Sequence, residues 1–236
     1  MGLLPDLAVR RREPEVMDDP GLDPVRHRLA LDALERVNRL SLTAGRAWRV
    51  VETLARAGVT PVRVLDVACG GGDLLAEIDR RARRRGMDVQ LVGCDASPVA
   101  LARAEERVGR GGRVSFAEVD VLTGSLPGRH DLVCCALFLH HLDTADALKL
   151  LRAMAGATDH ALLVQDLSRS RLGHALAWVA LRVLTASDVA RTDGPLSVRA
   201  AFTPAEARGL AAAAGLEAAD IRACWPERFV LRWSRA

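Results

Sequence analysis

The chain has 236 residues, 50% of them hydrophobic, and a formal net charge of +3. This length and composition fit one α/β domain with a substantial core and exclude an intrinsically disordered chain. The charge is too small to indicate nucleic-acid binding by itself. No apolar run reaches the ~20 residues of a membrane helix, and no leader segment is evident, so we expect a cytoplasmic protein.

The start of the chain is rich in proline and mixed charge, which predicts a flexible arm over residues 1–23. Asp23 followed by Pro24 is typical of a helix start. From there to about residue 57 apolar residues recur at helical spacing. We therefore predict two helices separated near residues 41–45.

Strands alternate with helices over the rest of the chain. Strands are predicted over 62–67, 89–94, 114–119, 131–136, 161–165 and 229–233. Helices are predicted over 73–85, 98–108, 144–155 and 204–214, and after Arg171. Such alternation favours a mostly parallel sheet covered on both faces, in a doubly wound α/β fold, with ligands bound at the carboxyl ends of the strands.

A glycine-rich turn follows the first of these strands. Gly70, Gly71 and Gly72 stand between an apolar run and a predicted helix. Glycine permits a sharp turn and a close approach of the backbone to a ligand. The helix start behind the turn offers N–H groups to a ligand that carries oxygen or negative charge.

Three acids accompany the turn. Asp66 lies within the first strand, Asp95 ends the second, and Asp120 is predicted to end the third. Asp95 stands where a ribose-binding carboxylate belongs, about 20 residues beyond the glycines. Each acid alone could equally be an N-cap or a turn residue. Three acids at three successive strand ends form a more specific pattern.

A dinucleotide site fits this turn poorly. The expected spacing is GxGxxG, whereas here Gly70 and Gly72 are followed by Leu75. An acid at the start of the motif, Asp66, also disfavours a diphosphate because like charges repel. A ligand with a cationic centre suits the site better.

Five segments together resemble the class I S-adenosylmethionine-dependent methyltransferases. Residues 64–72, 93–98 and 119–121 resemble the first three motifs of these enzymes, and residues 131–142 resemble their fourth strand and the residues after it. Residues 197–206 resemble the stretch before the last helix in the ubiquinone/menaquinone-type subgroup. The resemblance implies a Rossmann-like, seven-stranded sheet with an N-terminal helical cover.

The resemblance also implies a division of the chain and a cofactor. Residues 24–236 would form one methyltransferase domain. Residues 24–60 would supply N-terminal helices, residues 61–168 the cofactor-binding core, and residues 169–236 the C-terminal helices and last strands. The implied cofactor is S-adenosyl-L-methionine.

Cofactor-binding positions follow from the matched motifs. They are Asp66, Ala68, Gly70, Gly72, Asp95, Ala96, Asp120, Val121, Ala136 and Leu137. Asp66 would hold the turn near the cofactor's amino group, and Asp95 would accept from the ribose hydroxyls. Ala68 replaces the glycine of many members, which is tolerable if its φ stays negative.

The catalytic residues are less clearly indicated. The chain has no tyrosine, so a base, if one is used, must be His, Asp or Glu. His140 and His141 follow the fourth predicted strand and are candidates for a base or for acceptor positioning. They could also simply fix the loop. Asp166 is a second candidate base that could instead cap the next helix.

The predicted function is methyl transfer to a small, apolar or aromatic acceptor such as a phenol, quinol or polyketide, on oxygen or carbon. An NAD-type oxidoreductase and a non-catalytic cofactor-binding protein are the alternatives. We expect no nucleic-acid partner and no integral membrane segment, and an oligomer is possible. The five cysteines show no metal-ligand spacing, so we expect buried, reduced thiols and no metal: Cys69, Cys94, Cys134, Cys135 and Cys224.

Overall fold

Seven strands form one sheet in the order β3-β2-β1-β4-β5-β7-β6 in the computed structural model, which describes residues 6–19, 21–40, 42–109 and 112–235. The strands are β1 Val62–Val67, β2 Val89–Asp95, β3 Val114–Glu118, β4 His130–Ala136, β5 Thr158–Leu167, β6 Asp220–Cys224 and β7 Arg228–Ser234. The first five run parallel, and β7 is antiparallel to both β5 and β6. The predicted Rossmann-like, mostly parallel seven-stranded sheet is confirmed.

Helices cover the sheet. They are α1 Pro24–Leu40, α2 Thr43–Arg56, α3 Asp73–Arg85, α4 Pro98–Val108, α5 Thr144–Ala157, α6 Arg171–Leu184, α7 Asp188–Ala200 and α8 Pro204–Ala213. Short 3-10 turns occupy Val16–Asp18 and Leu139–His141. The two N-terminal helices predicted before residue 57 are thus α1 and α2, and Ser41, in the predicted break between them, lies outside the described residues.

The core has two halves, one on each face of the sheet. Successive residues of β1 alternate between them, with Val64 packed beside α2 and α3 and Leu65 packed beside α5 and α8. This alternation is the period of a strand buried on both faces. The two packed layers fix the positions of β1, β2, β4 and β5. The carboxyl ends of these strands lie side by side, and the candidate site is there.

Two elements and one strand end differ from the prediction. The third strand ends at Glu118, so Asp120 lies in the loop after the strand and not at its end. Helix α7 was not predicted because it contains Gly194 and Pro195, which interrupt helical patterns. Strand β6 was not predicted because its five residues are mostly polar or small and give no apolar run. It is the outermost strand of the sheet.

Residues 6–19 of the predicted arm lie against the domain. The backbone N–H groups of Val16 and Met17 donate to the buried carboxylate of Asp193 in α7, over 2.9 and 3.0 Å. Glu13 pairs with Arg199 at 2.7 Å. Residues 1–5 and 20 lie outside the described residues, and the division into a flexible arm and one domain stays a prediction.

Membrane insertion finds no support among the described helices. None of them combines the length and the apolarity needed to cross a bilayer.

An ion-pair network joins β1, β4 and β5 at their amino-terminal ends, on the side of the sheet opposite the candidate site. The guanidinium of Arg63 donates to both oxygens of Asp131, over 3.1 and 2.8 Å, and to Asp159 over 2.9 Å. Burial alone raises the pKa of Asp131, but the hydrogen bonds and the charge of Arg63 outweigh it and hold that pKa below its usual range. Asp131 therefore stabilises the fold in its ionised form.

Replacement of Asp131 by asparagine is expected to lower the free energy of unfolding at pH 7 by about 1–3 kcal/mol, less than for a fully buried pair because Arg63 is 41% exposed. A carboxyl pKa that is depressed in the folded state gives stability above the unfolded value of about 4, and this stability is lost as pH falls through the folded value. Urea unfolding between pH 7 and pH 2.5 should therefore show a shallower decline for Asp131→Asn than for the wild type. Parallel curves would contradict this assignment.

Candidate functional site

The glycine turn between β1 and α3 is held by backbone hydrogen bonds and by one carboxylate. The N–H of Cys69 donates to the carbonyl of Cys94 in β2, and the N–H of Gly72 donates to the carbonyl of Cys69, both over 3.0 Å. The N–H of Gly70 donates to Oδ2 of Asp95 over 2.8 Å. The turn is therefore fixed to the end of β2 before any ligand binds.

Gly70 and Gly72 both take left-handed backbone conformations, with φ of +52° and +69°. A Cβ on Gly72 would lie 2.8 Å from Cβ of Ala104 in α4 and 3.2 Å from Cζ of Phe116 in β3, so this glycine lets the turn pack tightly on its neighbours. A Cβ on Gly70 would meet no atom of the described chain within 4 Å. Gly70 thus borders open space, where a ligand can approach the backbone.

Ala68 corrects one expectation. Alanine was expected to be tolerated at this position if its φ were negative. In the structure the φ of Ala68 is +55°. A residue with a Cβ in this region costs roughly 1–2 kcal/mol. Leu137, after β4 at the same edge of the sheet, also has a positive φ of +58°. Backbone strain therefore accompanies two of the predicted cofactor-binding positions, as is common where a site dictates the geometry.

Replacement of Ala68 by glycine is expected to raise the free energy of unfolding by about 1 kcal/mol, because relief of the left-handed strain exceeds the extra entropy of an unfolded glycine. The control is Ala153→Gly, at an exposed position within α5, which is expected to lose about 1 kcal/mol through helix propensity. Urea unfolding of the two variants should shift in opposite directions. Destabilisation of both variants would show that the backbone of Ala68 is not strained.

Asp95 is the carboxylate that holds the turn. Besides Gly70, it accepts from the N–H of Ser97 over 2.9 Å through Oδ1. A carboxylate has about four lone-pair directions, so acceptor capacity remains on both oxygens. Asp95 is half-buried and can both brace the turn and accept from hydroxyl groups of a ligand.

Among the described residues, the side chain of Asp66 makes no hydrogen bond that would hold the turn. It is 2% exposed, and its buried Oδ1 has no hydrogen-bond partner there. Burial, followed by the charges of Asp73 and Asp95, raises the pKa of Asp66 well above its usual range. A buried carboxyl oxygen without a partner is an acceptor ready for a donor supplied from outside the chain.

The other predicted cofactor-binding residues lie around the same edge. Asp120 is exposed and accepts from the N–H of Leu122 and the hydroxyl of Thr123, both over 2.9 Å, which is the geometry of a turn residue. Val121 is buried, and Ala96 is exposed after β2. Ala136 ends β4. Leu137 follows it and donates its N–H to the carbonyl of Gln165 over 2.8 Å. Their roles toward a ligand stay predictions.

His140 and Asp166 are brought together as a buried pair. Nδ1 of His140 lies 2.6 Å from Oδ1 of Asp166, and the backbone N–H of His140 donates to Oδ2 over 2.9 Å. Burial alone raises the pKa of Asp166, but the charge and hydrogen bonds of His140, with that of the Leu167 N–H, hold it below its usual range. Asp166 therefore orients the imidazole. The next helix, α6, is capped instead by Ser170.

The ring of His141 lies beside that of His140, tilted by 34°, with ring centroids 4.3 Å apart. Its Nδ1 lies 3.9 Å from Oε2 of Glu15, which comes from the N-terminal segment. The two histidines and Glu15 line a cleft of about 320 Å³, together with Arg12 and other residues of that segment. Residues of the N-terminal segment thus form one wall of the space beside His140 and His141.

Sequence reasoning missed the contribution of this N-terminal segment. Arg10 donates to the carbonyls of His140 and Leu142 over 2.9 and 2.6 Å, and its guanidinium carbon lies 3.7 Å from the centre of the Phe202 ring. Burial, followed by the charge of Arg12, lowers the pKa of Arg10 to about 10. The prolines and charges of the segment indicated a flexible arm, and nothing in its pattern marks the long-range contacts.

A buried arginine was also missed. Arg228, at the start of β7, is 2% exposed and donates to Oγ1 of Thr43 over 2.9 Å, at the first residue of α2. Burial lowers its pKa to about 10. This contact joins the N-terminal helical cover to the edge of the sheet that carries the candidate site.

Residues 64–160 match the family model described as a methyltransferase domain. A demethylmenaquinone methyltransferase of Deinococcus radiodurans is 37% identical over 107 residues, which are 44% of this chain and 42% of that protein. A ubiquinone biosynthesis O-methyltransferase of Pseudomonas aeruginosa is 31% identical over 97 residues, which are 40% of each protein. The chain thus spans about two fifths of the length of these curated relatives.

Solved methyltransferase structures share the fold. The plantazolicin methyltransferase BpumL, in complex with a triazolic desmethylPZN analog and SAH, has a TM-score of 0.69 at 14% identity, over 90% of this chain and 91% of that one. Magnesium protoporphyrin IX methyltransferase from Synechocystis, with bound SAH, has a TM-score of 0.56 at 16% identity, over 93% and 91%. The predicted similarity to methyltransferases is confirmed over residues 64–160, and the fold is confirmed over most of the chain.

Proposed function

We propose that this chain transfers a methyl group from S-adenosylmethionine to a small, apolar or aromatic acceptor, on oxygen or carbon. The observation that carries the proposal is the glycine turn, in which Asp95 braces Gly70 beside open space. The match of residues 64–160 to a methyltransferase domain, and the matching fold of enzymes crystallised with SAH, support the same function.

The residues at the turn fit the proposed cofactor. The buried, unpartnered Oδ1 of Asp66 offers an acceptor to an amino group, and the positive charge of a bound cofactor would in turn favour the ionised form of this carboxyl. Asp95 would accept from the ribose hydroxyls, and Gly70 would let the methionine portion lie against the backbone. When bound, S-adenosylmethionine supplies an electrophilic methyl group on a sulfonium.

His140 and His141 would act on the acceptor. Because Nδ1 of His140 is directed at Asp166, the neutral imidazole carries its proton there and keeps the lone pair of Nε2. That nitrogen can accept a proton from a phenol or enol, or hold the acceptor in position. The low exposure of the His140 and Asp166 side chains, 4% and 2%, restricts water around the pair.

The proposed acceptor class rests on exposed apolar side chains and on the relatives. Helix α6 exposes Leu172, Trp178, Val179 and Val183, which would suit contact with an apolar molecule. The two curated relatives are named for demethylmenaquinone and ubiquinone biosynthesis. Phenols and quinols are therefore the first acceptors to test, followed by polyketide-derived aromatics.

Thermal shift and methyl-transfer assays test the proposal. We expect S-adenosylmethionine and S-adenosylhomocysteine to raise the melting temperature, because a ligand that binds only the folded state stabilises it. NAD serves as the control ligand, and stabilisation by NAD alone would favour the oxidoreductase alternative, which the family match does not support. Transfer of a radiolabelled methyl group to a phenol or quinol separates an enzyme from a non-catalytic cofactor-binding protein.

Asp95→Ala is expected to weaken S-adenosylmethionine binding by about 1.5–3 kcal/mol, the size of a hydrogen bond to a charged group, as measured by isothermal titration calorimetry. The matched control is Asp143→Ala, because Asp143 also accepts a backbone N–H, from Asp146 over 2.8 Å, but caps α5. The control should lose helix stability and keep its affinity. Wild-type affinity in Asp95→Ala would remove Asp95 from the site.

We also propose a cytoplasmic location. It rests on the five cysteines, all of which are free, four of them buried and Cys224 half-buried. A small-molecule acceptor is the proposed partner.

A further inference from the structure

Glu15, His140 and His141 form a cluster of metal-ligating side chains, in which one ring nitrogen of each histidine and one carboxylate oxygen lie within 4.8 Å of one another. The two histidines are adjacent in the 3-10 turn after β4, and Glu15 comes from a distant part of the chain. Two imidazoles and a carboxylate are a donor set that borderline divalent cations such as Zn²⁺ accept.

Two of these ligands are oriented by buried partners. Oδ1 of Asp166 accepts a hydrogen bond from Nδ1 of His140 over 2.6 Å. In the neutral ring, Nε2 then carries the lone pair that can bind a cation. The hydroxyl of Ser197 donates to Oε1 of Glu15 over 2.6 Å, which leaves Oε2 toward His141. Carboxylates that fix the tautomer of a ligating histidine are typical partners in protein metal sites.

The spacing permits closure on one ion. Ligand atoms about 2.0–2.1 Å from a tetrahedral zinc lie about 3.4 Å from one another, so the three atoms must approach by up to roughly 1.4 Å. The side chain of His141 is 24% exposed and lines the cleft, and its rotation would supply part of this approach. The cleft of about 320 Å³ leaves room for water or an acceptor oxygen at the remaining position.

Two arginines lie near the cluster. The guanidinium of Arg10 donates to three backbone carbonyls, those of Ala200, His140 and Leu142. Arg12 lines the cleft, whereas Glu15 and Asp166 bring two carboxylates to the two imidazoles. The cluster therefore offers a cation three donor atoms, and the two carboxylates offset the charges of Arg10 and Arg12.

We propose that Glu15, His140 and His141 bind a divalent cation of the zinc type, with Asp166 and Ser197 as the residues that orient two of the ligands. Its role toward the acceptor rests on the proposed function: a cation at this place would hold the acceptor oxygen and favour its deprotonated form. A cation there replaces a protein base, since both use the same lone pair of His140.

The test titrates the 236-residue chain, freed of metal by chelation, with Zn²⁺ in a calorimeter and with Co²⁺ by visible absorption. We expect one equivalent to bind. Glu15→Gln and His141→Gln should each weaken binding at least tenfold, because loss even of an orienting partner typically costs 10–100-fold. The control is His160→Gln, since His160 is an exposed histidine at the opposite edge of the sheet. It should bind as the wild type does.

Failure to bind Zn²⁺ and Co²⁺, or equal binding by the wild type and Glu15→Gln, would overturn the inference. A loss in His160→Gln as large as that in Glu15→Gln would show only surface binding and would overturn it as well. Melting curves identify a variant that fails to fold. Glu15 and His141 lie on separate segments of the chain, so if one variant does not fold, the other still tests the proposal. Calorimetry with S-adenosylmethionine on the same samples separates the two proposals, because cofactor binding does not require the cation.

Discussion

Gly72→Ala is expected to lower the free energy of unfolding by about 2–5 kcal/mol. A left-handed conformation costs a residue with a Cβ roughly 1–2 kcal/mol, and overpacking of a tight contact adds about 1–3 kcal/mol. Both apply at Gly72, where φ is +69° and a new Cβ would lie 2.8 Å from Cβ of Ala104. Urea unfolding at 25 °C measures the effect.

Gly86→Ala is the matched control for strain without overpacking. Gly86 follows α3, has a φ of +60°, and a Cβ there would meet no atom of the described residues within 4 Å. It should therefore lose only about 1–2 kcal/mol. If Gly72→Ala and Gly86→Ala lost the same stability, the tight packing of the glycine turn on α4 would be disproved.

Gly70→Ala separates stability from ligand binding. Its φ of +52° and open surroundings match those of Gly86, so the two variants should lose similar stability. Only Gly70 borders the space proposed for the cofactor, and a methyl group there should weaken S-adenosylmethionine binding at least tenfold, about 1.4 kcal/mol. Unchanged affinity in folded Gly70→Ala would place the cofactor elsewhere.

The core of the fold was predictable from the sequence because its signals are local. A buried parallel strand gives a continuous apolar run, and the helices α3, α4 and α5 give apolar residues at helical spacing with caps at Ser97 and Asp143. These runs fix the order of strands and helices. The alternation along the chain then implies the parallel sheet that the structure contains.

The rest depends on contacts between distant residues. Nothing local to Ala68 indicates its positive φ, which arises where the turn is fixed to β2. Glu15 reaches His141 only because Val16 and Met17 are anchored on Asp193 in α7, a helix that Gly194 and Pro195 conceal from pattern analysis. The sequence predicted His140, His141 and Asp166 as separate candidates, and only the packing of β4 beside β5 joins His140 to Asp166.

Asp166→Asn is expected to reduce methyl transfer by a factor of about 10²–10⁴ and to leave the affinity for S-adenosylmethionine unchanged. An asparagine amide that faces Nδ1 of His140 donates where the carboxylate accepted, so the imidazole proton moves to Nε2 and the lone pair directed at the acceptor is lost. The range is that of lost general-base catalysis. Single-turnover rates with saturating cofactor measure it, alongside cofactor titration by calorimetry.

Asp131→Asn is the matched control, because it is the same substitution of a buried, hydrogen-bonded aspartate at the opposite edge of the sheet. Both variants should lose stability, so rates are compared at a temperature well below both melting transitions. If they lost transfer equally, the effect of Asp166→Asn would reflect weakened packing and not the tautomer of His140. A rate within about threefold of the wild type in Asp166→Asn would exclude Nε2 of His140 as either base or cation ligand, because each role requires the same lone pair.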